Sequence, residues 1–250
     1  MSSAIQLKNI SQAFTLNNSE VTLFQQLNLT IEQGQSYAIT GPSGAGKSSL
    51  LMLISGLEQP SSGQGVYLKH YSANDVAKQD LQQSASLDSM RSEIGFIFQQ
   101  FHLLPELTAL NNVALPLKLR GDKAAIKKAK QMLDKVGLQE RYHHTPTALS
   151  GGEQQRVAIA RALVFSPKFI FADEPTGNLD EKSANDIADI LFDCCRDSNA
   201  ALVMVTHSQA LADKAQYVYR LGNGKLTKNT EISALSTTGN TTTVAVEAVC

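Results

Sequence analysis

Eight consecutive residues carry the strongest chemical signal in the chain. Gly41-Pro42-Ser43-Gly44-Ala45-Gly46-Lys47-Ser48 fits the pattern G-x-x-x-x-G-K-[ST]. Its glycines let successive backbone N–H groups wrap an anion without side chains in the way. A short buried strand is predicted before it, Tyr37 to Thr40. A helix is predicted after it, from Lys47 to about Ser55 and closed by Gly56. The positive end of that helix faces the same anion. Lys47 supplies a point charge for terminal phosphates, the Ser48 hydroxyl is a Mg²⁺ ligand, and Ser49 stands beside them. Nucleotide binding follows from this stretch alone.

Two further stretches suit the same substrate. Phe169-Ile170-Phe171-Ala172 predicts an apolar strand ending on Asp173 and Glu174, and the carboxyl ends of such strands are where open α/β sheets bind ligands. Asp173 suits the metal opposite Ser48, and Glu174 is the candidate general base for an attacking water. Further on, Leu149-Ser150-Gly151-Gly152-Glu153 opens a helix with an S-x-x-E capping box. Two glycines in a first helical turn cost about 1 kcal/mol each against alanine. That cost makes sense where bare N–H groups must approach an anion. The chain therefore carries two phosphate-facing helix starts.

The elements that must position these groups alternate along the chain. Ile5 and Leu7, then Leu27, Leu29 and Ile31, predict strands with polar neighbours between them. Val66 to Leu68 predicts a short strand, Ser72 to Ser92 a polar stretch with at most two short surface helices, and Ile94 to Phe98 a buried strand. Two helical stretches follow, the second with Asp122 as its N-cap and Gly137 as its end. The helix from Ser150 stops before Pro167; strand, helix (about Glu181 to Ser198) and strand (Ala201 to Val205) then alternate as in a parallel sheet. Gly222-Asn223-Gly224 predicts a hairpin. Residues beyond Lys228 predict a mobile polar tail.

Composition excludes several classes. Of 250 residues, 42% are apolar and 18% charged, with a net charge of -1. That balance provides no footprint for nucleic acid or for an anionic bilayer. No apolar run approaches the roughly eighteen residues of a membrane span, and MSSAIQLKNI lacks the features of a signal peptide. Three cysteines form no CxxC pair, which fits a reducing compartment. Adjacent Cys194 and Cys195 on one helix face apart and cannot readily bridge.

Together, these motifs, in this order and spacing, resemble the ATP-binding subunits of ABC transporters over roughly residues 4 to 228. The resemblance implies an α/β fold: a P-loop NTPase (RecA-like) core with an N-terminal antiparallel β subdomain and an inserted α-helical subdomain at about 100–166. It makes Leu149 to Glu153 the signature motif, Gln99 the Q-loop glutamine that senses Mg²⁺ and water, and His207 the switch histidine on the γ-phosphate. Thr176 to Asp180 becomes the D-loop, and Phe14 the aromatic that stacks on adenine, where tyrosine is usual. It further implies a homodimer on ATP binding, in which Ser150, Gly151 and Gly152 of one chain contact the γ-phosphate held by the other.

Within the family, Phe171 to Asp180 and Leu107 to Val113 are similar to the subgroup of LolD, MacB, YbbA-like proteins and FtsE. That similarity implies a separately encoded membrane permease, lipoprotein release or peptide export by mechanical transmission, and a cytoplasmic location at the inner face of the membrane. An FtsE-like division regulator that transports nothing is the alternative. Phe101, Leu103, Leu104 and Pro105 are candidates for docking the permease. The chain shows no heptads for a DNA-repair ABC protein and one cassette where translation-type proteins carry two.

Overall fold

The computed structural model describes residues 2–16, 19–72, 75–81 and 84–229. Strand β1 (Ala4–Leu16) buries Ile5 and Leu7 by simple alternation. Asn9 then adopts a left-handed φ of 52°, and a bulge returns Ile10 to the inner face. Strand β2 (Ser19–Glu32) pairs antiparallel with β1, Leu7 opposite Leu29. Strand β3 (Ser36–Thr40) and helix α1 (Lys47–Ile54) flank the glycine loop as expected.

Beyond this point the structure corrects three expectations. The strand expected at Val66 to Leu68 is the middle of a longer one, β4 (Ser62–Ser72), paired along β1. The polar stretch after it contains a strand, β5 (Asp75–Asp80), and one helix, α2 (Ser84–Arg91). A polar sequence tolerates this because β5 lies at a sheet edge, held by its ladder to β4 with Val66 opposite Asp80. Helix α2 buries Leu87 and Met90 against Gly56, where an added Cβ would lie 2.6 Å from Met90 Cε.

After β6 (Ile94–Ile97) come α3 (Ala109–Leu119) and α4 (Ala125–Lys135). The third correction is at α4, whose N-cap is Ala124 and not Asp122. Asp122 instead closes the turn before the helix, accepting from Ala124 N–H at 2.8 Å and pairing with Lys128. A 3₁₀ turn at Pro146–Ala148 leads into α5 (Gly151–Leu163). Strand β7 (Phe169–Asp173), α6 (Glu181–Asp197), β8 (Ala201–Val205), α7 (Gln209–Ala212), β9 (Tyr217–Gly222) and β10 (Lys225–Lys228) complete the chain. Cys194 and Cys195 are buried, free thiols on α6. The tail expected after Lys228 lies, from residue 230 on, outside the described residues.

Two sheets result, an antiparallel one in the order β2-β1-β4-β5 and a second in the order β10-β9-β3-β8-β7-β6, parallel except for β10. The parallel sheet is covered on both faces. Phe169 and Phe171 of β7 pack toward α1 and the antiparallel sheet, while Ile170 and Ala172 pack toward α3, α4, α5 and α6. Alternation along β8 does the same: Ala201, Val203 and Val205 on one side, Leu202 and Met204 on the other.

Candidate functional site

Strand order explains how residues far apart in sequence meet. β3, β8, β7 and β6 are neighbours and parallel, so their carboxyl ends open on one edge of the sheet. They deliver, in that spatial order, the glycine loop, His207, the Asp173–Glu174 pair and the segment that holds Gln99. Ser43, Gly44, Gly46, Lys47, Ser48, Ser49, Gln99, Asp173, Glu174 and His207 indeed line one cavity of about 340 Å³, with Leu23 and Val205 completing its wall.

The glycine loop has both the closeness and the openness an anion cradle needs. At Gly41 an added Cβ would sit 2.1 Å from Leu221 O, so the backbone there touches the neighbouring strand. At Gly44, φ is +77° and nothing lies within 4 Å of where a Cβ would be, so the loop's outer side is free. Ala45 N–H closes the loop on Pro42 O at 3.3 Å. Gly46 stands at the N-cap of α1 with φ 90° and makes no side-chain cap, which leaves the first helical amides for a ligand.

Lys47 is only 6% exposed. Its ammonium donates to Gly41 O and Pro42 O, each at 3.1 Å, and lies 3.3 Å from His207 Nε2. Both carbonyl acceptors are neutral, so the buried cation suits a phosphate oxygen. Ser48 Oγ donates to Asp173 Oδ1 at 3.1 Å across the width of β8. Among the described residues no three His, Cys, Asp or Glu side chains cluster as a metal cage. Mg²⁺ needs none, since it binds through one or two protein oxygens, water and substrate phosphates. The Ser48–Asp173 pair is a donor set of that kind.

Glu174 takes a left-handed φ of 46°, a conformation that costs about 1–3 kcal/mol outside glycine and collects at functional sites. Its backbone is pinned on both sides, N–H donating to Val205 O and C=O accepting from Gly177 N–H, each at 3.0 Å. Its Oε2 accepts from His207 N–H at 3.3 Å, and Oε1 lies 3.2 Å from His207 Nε2. Burial pushes this carboxyl above the usual carboxylate range, against the lowering effect of the His207 N–H, His207 and Lys47. A base of raised pKa beside a phosphate cradle is suited to taking a proton from water.

The second helix start is elsewhere. Ser150, Gly151, Gly152, Glu153 and Asp180 line a separate concavity of about 520 Å³ that shares no residue with the first. Both halves of the capping box are present: Ser150 Oγ accepts from Glu153 N–H at 3.3 Å, and Glu153 Oε2 accepts from Ser150 N–H at 2.8 Å. Glu153 Oε1 accepts from Arg141 at 2.7 Å, so the carboxylate faces the cap and a cation. Asp180 caps α6 through Ser183 N–H at 3.0 Å. Cβ atoms built at Gly151 and Gly152 would meet nothing closer than 3.6 Å, so packing does not require glycine at either position. Phe14 lines neither cavity. It is 41% exposed on β1, opposite Val21.

Sequence reading missed two supports. Gln155 is fully buried on α5 and donates to Pro175 O at 2.5 Å, and Arg161 donates to Phe101 O and His102 O. Each is a polar residue on an otherwise apolar helix face, and that break in pattern is the available signal.

Comparison with known proteins agrees with this geometry. Residues 24–177 match the family model described as ABC transporter. The chain is 41% identical over 223 residues to the lipoprotein-releasing system ATP-binding protein LolD of Rickettsia bellii, covering 88% of this chain and 96% of that one. It is 42% identical over 231 residues to the macrolide export ATP-binding/permease protein MacB of Bdellovibrio bacteriovorus, of which it spans only 34%. A solved dimer of the ATP-binding cassette MJ0796 in a post-hydrolysis state, bound to ADP and Pi, superposes with a TM-score of 0.76 at 34% identity, over 90% of this chain and 98% of that one. Glycine cradle, buried lysine, strand-end carboxylates and capped second helix start thus place the chain in the ABC transporter family, as an ATP-hydrolysing ATP-binding cassette.

Proposed function

We propose that this cassette closes as a homodimer around ATP and powers a separately encoded permease in lipoprotein release or a related export. The observation that carries the reading is the separation of its two anion-suited surfaces, which share no lining residue. A two-fold pair lets each chain present Ser150, Gly151 and Gly152 to the nucleotide held by the other. The dimeric MJ0796 cassette supports this arrangement. Relatives named LolD, matched over nearly their whole length, support lipoprotein release.

In the proposed reaction Lys47 and the loop amides hold the phosphates, and Phe14 stacks on the base. Ser48 and Asp173 would hold Mg²⁺, which when bound neutralises phosphate charge. Glu174 accepts a proton from the attacking water as its oxygen bonds to the γ-phosphorus. The bond to the bridging oxygen breaks with its electron pair leaving on ADP. His207 holds the γ-phosphate, and Gln99 stands by the water. Glu153 and Asp180 shape the trans surface by capping their helices.

No helix among the described residues is long and apolar enough to cross a membrane. The proposed seat is the cytoplasmic face of a membrane, held there by the permease, a reading supported by relatives named as the ATP-binding part of a lipoprotein-releasing system and as an export ATP-binding/permease protein. Leu104, 41% exposed just after Gln99, is the proposed docking contact, while Leu103 packs partly into the helical core. The test is E174Q with ATP: a stable dimer by light scattering is expected, and an ATP-loaded monomer overturns the reading. Capturing this trapped form from native membranes should recover a permease with a large extracytoplasmic part; division proteins in its place would favour the regulator.

A further inference from the structure

The six residues from Gln99 to Leu104 form a strap with three fasteners. At its start, Gln99 O accepts from Asn178 Nδ2 at 3.0 Å. At its end, Leu104 N–H and C=O both bond the side chain of fully buried Asn112, at 2.9 and 3.1 Å. Between them, Phe101 and His102 are consecutive non-glycine residues in the left-handed region, with φ 43° and 46°. Such a pair is strained and persists only where its surroundings hold it. The turn is held locally by Phe101 N–H donating to Phe98 O at 3.2 Å and by the edge-to-face rings of Phe98 and His102, and from α5 by one guanidinium: Arg161 Nη2 donates to Phe101 O at 2.7 Å and Nη1 to His102 O at 2.6 Å.

Arg161 sits on α5 between buried Ala160 and Ala162. Partial burial pulls its guanidinium below the usual arginine range. A half-buried cation whose acceptors are two main-chain carbonyls, with no carboxylate paired to it among the described residues, is an unusual choice for packing alone. The same helix begins at the capped Ser150 surface and, through Gln155, grips Pro175 next to Glu174. Meanwhile the Gln99 amide sits against Gly177, whose Cβ would lie 3.4 Å from Gln99 Nε2.

We infer that Arg161 is a positioning residue for hydrolysis: it holds the Phe101–His102 turn left-handed, and so fixes Gln99 in the phosphate cavity to the helix that carries the Ser150 surface. The inference deepens the role proposed above for Gln99 and rests on it. Without the clamp the pair relaxes toward ordinary backbone, the strap changes direction three residues after Gln99, and the amide leaves its place.

The test is steady-state ATPase of the purified chain as R161M, R161K, Q99A and R161M/Q99A, with hydrogen exchange over residues 99–103. R161M should lower kcat on the order of 10- to 100-fold, the range expected for a misplaced catalytic group. It should also raise the Mg²⁺ concentration for half-maximal rate and leave the KM for ATP within about two-fold of wild type. R161K, which can satisfy one carbonyl, should recover part of the rate and of the exchange protection. Added to Q99A, R161M should change kcat little further. Two single losses that multiply in the double variant overturn the clamp while leaving Gln99 its role. A silent Q99A overturns the Gln99 reading, and the clamp with it. If R161M fails to fold, R161K and R161K/Q99A carry the same comparison, and unchanged exchange over 99–103 in R161K likewise overturns the inference.

Discussion

The two helix starts proposed to meet phosphate are built on opposite plans. At α1 the N-cap is Gly46, no side chain caps the helix, and a buried lysine with neutral partners waits in the first turn. At α5 the cap is complete, the first turn itself holds glutamate where α1 holds lysine, and that glutamate is tied to Ser150 N–H and Arg141. The first start has open helical amides and a buried charge that an anion would complete, which suits the proposed binding of nucleotide within one chain. The second is satisfied without a ligand and offers only the bare amides of Gly151 and Gly152. It suits an anion brought by a partner and released afterwards. Permanent grip and reversible touch are thus separated by capping.

The largest effects should come from breaking each plan in turn. K47M removes the buried cation and should abolish nucleotide binding by the single chain, with hydrolysis down on the order of 10³-fold. G151D places a carboxylate at the second start and should lower hydrolysis as far, while a fluorescent ATP analogue still binds the monomer near wild-type affinity. Equal loss of binding in both variants would merge the two sites and undo the distinction.

A gentler change sharpens it. A Cβ at Gly151 meets Leu179 Cδ2 at 3.6 Å, an ordinary contact. G151A should therefore gain helix propensity, raising stability by up to about 1 kcal/mol in urea denaturation. Hydrolysis should nevertheless fall on the order of 10-fold, because a methyl group stands where the partner's phosphate must come. A variant more stable and less active is the signature of a glycine kept for function.

Glu174 makes a smaller, pH-dependent contribution. Its carboxyl is raised by burial, so the folded chain holds that proton at higher pH than the unfolded chain does. The stability tied to protonation is present in acid and is lost as pH rises through the folded value. E174Q removes the ionisation, so its Tm should equal or exceed wild type at neutral pH and converge with it in acid. For wild type, the acid limb of kcat should lie above the ordinary carboxylate range, since the base must be ionised to work.

What the sequence showed in advance, and what it hid, follows from locality. The glycine loop, the Ser150–Glu153 box and the strand ending at Asp173 are set by neighbours within a few residues, and each stands where its pattern places it. Gln99 and His207 carry no local signature of their own. Their meeting depends on strand order β3-β8-β7-β6, which the family resemblance supplied and periodicity did not. Strand β5 was invisible because an edge strand of Lys, Gln and Asp owes its form to β4. Arg161 was hidden for a related reason: its partners are carbonyls sixty residues away, and carbonyls leave no trace in a sequence.

The smallest expected effect lies at the cap that makes α5 self-sufficient. The Ser150 N–H, then Arg141, hold the Glu153 carboxyl below the usual range. Its contribution is thus present above the unfolded value and lost as pH falls through the folded one. The Arg141 pair is half in water, with side chains 40% and 26% exposed, so R141A should cost no more than about 0.5 kcal/mol. E153A removes the reciprocal cap as well and should cost about 1 kcal/mol, with the gap between the two variants narrowing in acid. Neither should weaken nucleotide binding by the single chain. If α5 is kept ready by its cap, E153A should instead raise the ATP concentration at which dimers form. An unchanged dimerisation midpoint, measured beside a destabilised fold, would mean that the cap holds the helix and has no part in presenting Gly151 and Gly152 to the partner's nucleotide.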